Sequence, residues 1–138
     1  MKKNLEKALN ISHDLFSSCY DPQNGYRCYH FAFIFKRNKL ISQGVNQPRK
    51  PDAKVLYFGS KFNIQKYKKW HFFHAELDAI QKCWGKIHLN RSYSMVVIRI
   101  NKDGQLKNSK PCENCQNILN QIGLQNIWWS TNKGIVNE

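Results

Sequence analysis

Apolar residues recur at helical spacing at the start of the chain, with Leu5, Ala8, Leu9 and Phe16 near an i, i+3, i+4 pattern and charges between them. That spacing predicts an amphipathic helix. Asp21-Pro22-Gln23-Asn24-Gly25 then breaks it with turn chemistry. From Tyr29 to Phe35 the chain reads Tyr-His-Phe-Ala-Phe-Ile-Phe, the aromatic and apolar content expected of a buried strand. Lys36-Arg37-Asn38-Lys39 is a polar turn, and Leu40 to Val45 reads as the returning strand of a hairpin. Residues 46–70 carry no regular pattern, and Pro48 and Pro51 exclude a regular element at their start. A connection of that length inside a compact domain is usually functional or disordered.

The second half alternates more clearly. A helix beginning near His74 places Leu77, Ile80 and Trp84 on one stripe, and Gly85 fits its end. Tyr93 to Ile100 reads as a central strand, and Asn101-Lys102-Asp103-Gly104 as a turn. A helix from Cys112 would bury Cys115, Ile118, Leu119 and Ile122 and end at Gly123. Gln125 to Ser130 is a further strand, sending Trp128 and Trp129 to opposite faces. Thr131-Asn132-Lys133-Gly134 then offers a hairpin turn before a short final strand at Ile135-Val136. The expected order is α, β, β, α, β, α, β and a last β: an α/β fold with a mixed sheet of four or five strands covered by helices.

The 138 residues, 41% hydrophobic, suit one domain over 1–138 with a core that needs no disulfide. No stretch approaches the apolar length of a membrane span. The opening Met1-Lys2-Lys3-Asn4-Leu5-Glu6 lacks the apolar run of a signal peptide. With five cysteines, an odd number, the expected compartment is the cytoplasm, where Cys19, Cys28 and Cys83 would be reduced thiols. A Cys19–Cys28 disulfide remains a sequence-compatible alternative.

Two short stretches concentrate chemistry: His74-Ala75-Glu76, and Pro111-Cys112-Glu113-Asn114-Cys115. Zinc favours imidazole nitrogen and thiolate sulfur, and a catalytic zinc keeps three protein ligands with one position open to water. His74, Cys112 and Cys115 supply three. Cysteines at i and i+3 share one face of a helical turn, and thiolates near a helix N-terminus are favoured by the macrodipole. Pro111 suits the first helical turn, where its missing N–H costs nothing. Glu76, beside the His ligand, is placed to take a proton from the bound water and deliver it to a substrate.

Plainer readings compete. A lone Cys-x-x-Cys is more often half of a structural zinc site or a redox pair, and a lone His is more often a core residue. A structural zinc wants a fourth ligand. His71, Cys83 and His88 are candidates, but none forms a compact pair with His74. The redox reading leaves His-Ala-Glu unexplained.

On these two motifs and the element order, the chain resembles the cytidine and deoxycytidylate deaminase superfamily, which also holds tRNA adenosine deaminases. The resemblance covers nearly the whole chain. It implies a three-layer cytidine-deaminase-like fold and a Zn2+-dependent hydrolytic deaminase with Glu76 as proton shuttle. It also implies substrate contacts. In that superfamily the first hairpin ends in Gly-x-Asn, whose Asn meets the sugar or base; Gly44-Val45-Asn46 stands there and nominates Asn46. Ala75 would offer its backbone N–H to the base carbonyl, and the Lys110 carbonyl would accept the exocyclic amine. Relatives often carry Ser or Glu where this chain has Lys110. The chain also departs from branches that end in further helices.

Charge bears on the substrate. The formal net charge is +13. Between Lys36 and Trp70, ten basic side chains face one acidic residue, Asp52. Arg49, Lys50, Lys66, Tyr67, Lys68, Lys69 and Trp70 interleave cations with aromatic rings, as single-stranded nucleic acid binding requires. The plain alternative is a solvated face in a lysine-rich composition, although acids are scarce beside those lysines. The expected activity is cytosine to uracil in single-stranded DNA or RNA. The alternatives are a free nucleotide such as dCMP or CMP, adenosine in RNA, or a nucleic-acid-binding module with structural zinc. An intact Glu76 favours the enzyme, since a structural site has no use for that carboxylate.

Overall fold

The computed structural model describes residues 2–19, 28–46, 61, 74–86 and 88–137. Its elements are α1 (Lys2–Cys19), β1 (Cys28–Lys36), β2 (Lys39–Val45), α2 (Ala75–Cys83), β3 (Tyr93–Asn101), β4 (Leu106–Lys107), α3 (Glu113–Ile122), β5 (Asn126–Thr131) and β6 (Gly134–Asn137). The strands form one mixed sheet in the order β2-β1-β3-β5-β6, with β4 pairing the end of β3. Among the described strands only β3 and β5 run parallel, and α3 lies in the crossover between them. The sheet has six strands where four or five were expected. The addition is β4, a two-residue strand too short to leave an alternation in the sequence.

Strand alternation divides the core into two layers, one on each side of the sheet. Phe31, Phe33 and Phe35 of β1 and Val96, Ile98 and Ile100 of β3 pack with Ala8 of α1. Ala32 and Ile34 of β1 and Met95 and Val97 of β3 point the other way, packing with Leu77 and Ile80 of α2 and Ile118 and Leu119 of α3. Trp128 joins the first layer and Trp129 the second, as their adjacent positions on β5 demand. The result is helix, sheet, helices: a three-layer α/β arrangement.

Two helix ends differ from expectation. α2 stops at Cys83, so Trp84 is its C-cap and not a member of the helical stripe. In α3, Cys112 is the N-cap, which leaves Pro111 one residue before the cap instead of in the first turn. Pro111 is buried, and its carbonyl accepts from Gln116 Nε2 at 2.8 Å. At the other end Gly123 takes φ 89°, and its N–H donates to Leu119 O. A residue with a Cβ is strained at that φ, so the glycine found there is what ends the helix. The Asp21–Gly25 turn and nearly all of the 47–73 stretch lie outside the described residues. Among the described residues, no helix is long and apolar enough to cross a membrane.

Candidate active site

Both chemical motifs sit at helix N-termini that meet over one end of the sheet. His74 is the N-cap of α2, extended at φ −70° and ψ 152°. Its ring makes no capping bond, while its carbonyl accepts from Asp78 N at 3.0 Å. Cys112 caps α3, and its Sγ accepts from Cys115 N at 3.4 Å. His74 Nδ1 lies 3.5 Å from Cys112 Sγ and 3.4 Å from Cys115 Sγ. The three ligand atoms lie within 4.8 Å of one another, so one ion can reach all three. One imidazole and two thiolates are the donor set that zinc prefers, and three donors leave a tetrahedral position open. No carboxylate belongs to the set.

The three side chains shift one another's protonation. The hydrogen bond from the Cys115 thiol holds Cys112 down to about 4, helped by His74 and the Cys115 N–H against its own burial. Cys115 moves the opposite way, well above the usual thiol range, because it donates to Cys112 and is buried. Burial pulls the His74 value down, but the hydrogen bond and charge of Cys112 outweigh it and leave the imidazole raised. Glu76 is 5% exposed, and burial raises its carboxyl above the ordinary range. The proposed fourth ligands fall elsewhere. Cys83 is buried and bonds to Ala79 O and Ile80 O. His88 is exposed beside a hollow of about 570 Å³ lined by Trp84, Leu89 and Ile122, and among the described residues that line it there is no other metal-ligating side chain. His71 lies outside the described residues.

A cleft of about 180 Å³ opens on the cluster, lined by His30, Asn46, His74, Ala75, Glu76, Arg99, Asn108, Ser109, Lys110 and Cys112. It brings together every expected site residue that is described except Cys115, which is buried. Asn46 is locked to β1, its N–H donating to His30 O at 3.2 Å and its Oδ1 accepting from His30 N at 3.0 Å. The side-chain amide therefore has its oxygen engaged and its Nδ2 left for a ligand. Gly44 explains the approach of this strand to α2, since a Cβ there would overlap Ala75 O and Ala79 N. Ser42 Oγ donates to Ala79 O at 2.7 Å, and Asp78 Oδ2 accepts from Val45 N at 3.0 Å. The buried Asp78 thus ties β2 to the helix carrying His74 and Glu76, and Lys82 neutralises it at 3.0 Å.

The loop before Cys112 is pinned as firmly. Ser109 Oγ donates to Val97 O at 2.7 Å, and Ser109 N donates to Ser130 O at 2.9 Å. Lys110 N donates to Asn108 Oδ1 at 3.1 Å, which fixes the peptide whose carbonyl precedes Pro111. The Lys110 ammonium reaches 5.5 Å from the centre of the Trp129 ring. Sequence reasoning missed His30, Arg99, Asn108, Ser109 and Asp78. A signal existed for the first two: His30 and Arg99 interrupt otherwise apolar rows on the face that packs α2 and α3. Of the basic segment, Arg49, Lys50, Lys66, Tyr67, Lys68, Lys69 and Trp70 lie outside the described residues.

Solved structures share this architecture. Cytidine deaminase from Mycobacterium leprae matches at TM-score 0.56 and 16% identity, over 96% of this chain and 92% of its own. Cytidine deaminase from Mycobacterium tuberculosis matches at TM-score 0.51 and 12% identity, over 94% and 86%. The dCMP deaminase of cyanophage S-TIM5 matches at 0.50 and 16%, over 90% and 79%. At such identities the likeness shows the fold alone. No curated protein matches the chain. The family model for the cytidine and deoxycytidylate deaminase zinc-binding region, however, matches residues 2–131, spanning both motifs and the sheet that joins them. With the histidine and two cysteines of that motif gathered around one point, the chain belongs to the cytidine and deoxycytidylate deaminase family of zinc-dependent hydrolytic deaminases.

Proposed function

We infer that residues 1–138 form a single deaminase domain that converts cytosine to uracil, acting in the cytoplasm on single-stranded nucleic acid. The observation that carries the enzymatic part is the buried Glu76 carboxyl, which lines the same cleft as His74 and Cys112 without belonging to the ligand set. Zinc held by His74, Cys112 and Cys115 would lower the pKa of a water in its open position. Glu76 takes one proton from that water to N3, and later a second, from the oxygen added at C4, to the departing N4. The C4–N4 bond breaks, a C4–O bond forms, and ammonia leaves. Burial raises the Glu76 carboxyl above the ordinary carboxylate range, in the direction that helps a group that must both accept and donate.

The remaining residues orient the base. Ala75 opens α2, so its N–H is one of the helix donors without an intrahelical partner and suits the base carbonyl. Asn46 Nδ2 suits the sugar or base, and the Lys110 carbonyl suits the exocyclic amine. A structural-zinc module would gain nothing from a carboxyl buried at that place.

The strand substrate is supported by charge: ten cations against one acid between Lys36 and Trp70, with aromatic rings among them. Lys110, which lines the cleft, adds a cation there and lies over the Trp129 ring of the neighbouring hollow. A second reading is free dCMP or CMP, whose single base is all that the residues lining the cleft would have to hold. The deciding experiment incubates zinc-loaded protein with cytidine, CMP, dCMP and cytosine-containing DNA and RNA oligonucleotides, reading deamination by mass. Higher efficiency on an oligonucleotide than on dCMP, falling steeply with salt, upholds the strand reading. Better turnover of dCMP or CMP with little salt dependence overturns it.

A further inference from the structure

His30 and Arg99 face each other as register partners on β1 and β3, and Asn46 extends the same line onto the end of β2. Farther along that face the partners are apolar, Ala32 beside Val97 and Ile34 beside Met95. The row turns polar where it enters the cleft. Arg99 is held there by a bond from Nη1 to Asn108 O at 3.2 Å. Its Nε is buried and has no hydrogen-bond partner. Among the described residues no carboxylate lies within 4.0 Å of its guanidinium, the Lys82–Asp78 pair being the ion pair found. A half-buried cation without a counter-charge, beside an imidazole that burial and Arg99 keep neutral, is costly in the free protein. A ligand that brings a negative oxygen would repay that cost, whereas a neutral hydroxyl or carbonyl would leave the charge uncompensated.

We propose that Arg99, seated on β3 opposite His30, is the anion subsite of the cleft and receives a phosphate oxygen of the nucleotide whose base is processed. The substrate class is therefore a phosphorylated nucleotide, free or within a strand, in preference to an unphosphorylated nucleoside. This rests on the cleft being the deaminase pocket, as read above. Guanidinium suits the task because its planar donors match phosphate oxygens in pairs.

The test uses products, so that it does not depend on turnover. Binding of 5′-dUMP, deoxyuridine and a uracil-centred trinucleotide to the zinc-loaded protein is measured by calorimetry for wild type, Arg99→Gln and Arg99→Lys. Wild type should bind 5′-dUMP or the trinucleotide at least tenfold more tightly than deoxyuridine. Arg99→Gln should bring that ratio close to one, and Arg99→Lys, which keeps the charge, should retain part of it. If only the trinucleotide shows the Arg99-dependent preference, the phosphate comes from a strand; if 5′-dUMP shows it, from the free nucleotide. No preference in wild type, or an equal loss for all ligands in Arg99→Gln, overturns the subsite. A selectivity that follows Arg99 in a protein that deaminates nothing would uphold the subsite while removing the enzymatic reading. Turnover with no phosphate preference would do the reverse.

Discussion

Ser109 Oγ and Ser130 Oγ lie 2.9 Å apart, both residues buried, where β5 passes the loop that delivers Cys112. Ser130 Oγ also donates to Lys107 O at 2.7 Å and accepts from Arg99 N at 3.0 Å. Two hydroxyls thus tie β3, β4, β5 and the ligand loop together at the floor of the cleft. Neither serine stands in a motif, yet the position of the Lys110 carbonyl depends on them.

Ser130→Ala should therefore be felt in both stability and catalysis. It leaves Lys107 O and Arg99 N without their partner, a loss of about 1–3 kcal/mol for buried groups. The urea midpoint should drop accordingly, and kcat/KM should fall while one zinc per chain is retained. A variant that melts and turns over like wild type would show that the loop is held by other contacts.

Gly44→Ala tests the seam between β2 and α2. The added Cβ would collide with backbone, Ala75 O and Ala79 N, which cannot rotate away as a side chain would. Overpacking of this kind costs about 1–3 kcal/mol. Because the displaced backbone belongs to the helix that carries His74 and Glu76, zinc content and turnover should fall together. Normal zinc content with normal activity would mean that the seam is softer than its spacing indicates.

Glu76→Ala and Cys112→Ala should separate chemistry from metal binding. The first removes a proton carrier but no ligand, so zinc and fold should survive while turnover is lost. The second should lose zinc and much stability, since the metal couples to folding. Metal analysis, melting curves and a product assay on each variant suffice. Turnover surviving in Glu76→Ala would defeat the proposed mechanism.

How much of this was legible in advance depends on the range over which each signal acts. Continuous apolar runs marked β1 and β3, and spacing marked α3 with its glycine stop, because those patterns are local. The zinc ligands were legible because the metal demands particular side chains at particular spacing. Asp78, Ser109 and Ser130 were not, since a polar residue that bridges distant segments looks the same in sequence as one facing water. His30 and Arg99 stand in strand runs and read in sequence as parts of those runs. The break they make in the core-facing rows becomes meaningful once the register pairs them.

Zinc loading should release protons. In the metal-free cluster Cys112 is ionised at neutral pH, its value being about 4, whereas Cys115 holds its proton well above the usual range. Binding must displace the Cys115 proton, and the raised His74 adds a further fraction. Titration of metal-free protein with zinc in two buffers of different ionisation enthalpy should show one or more protons released per ion. Apparent affinity should weaken as pH falls. Heats that do not depend on the buffer would contradict this protonation pattern.

Acid should weaken the fold through His30. Burial is the main cause of its lowered value, and the groups facing it, Arg99 from β3 and His74 at the start of α2, add positive charge. Together they lower its value from 6.5 to about 4, so the folded state refuses a proton that the unfolded chain accepts. The contribution is present in full above about pH 6.5 and is lost as pH falls toward 4. The two and a half units between those values correspond to an upper limit of about 3 kcal/mol. His30→Gln keeps a neutral, hydrogen-bonding side chain and has nothing to titrate, so its stability should fall less steeply over the same range. The zinc ligands also titrate in acid, but they do so in both proteins. The quantity to measure is therefore the difference in urea midpoint between wild type and variant at each pH. That difference should move against wild type as pH drops from 7 to 5. A constant difference would mean that His30 is protonated in the folded protein, and that the Arg99 side of the cleft is better solvated than its burial indicates.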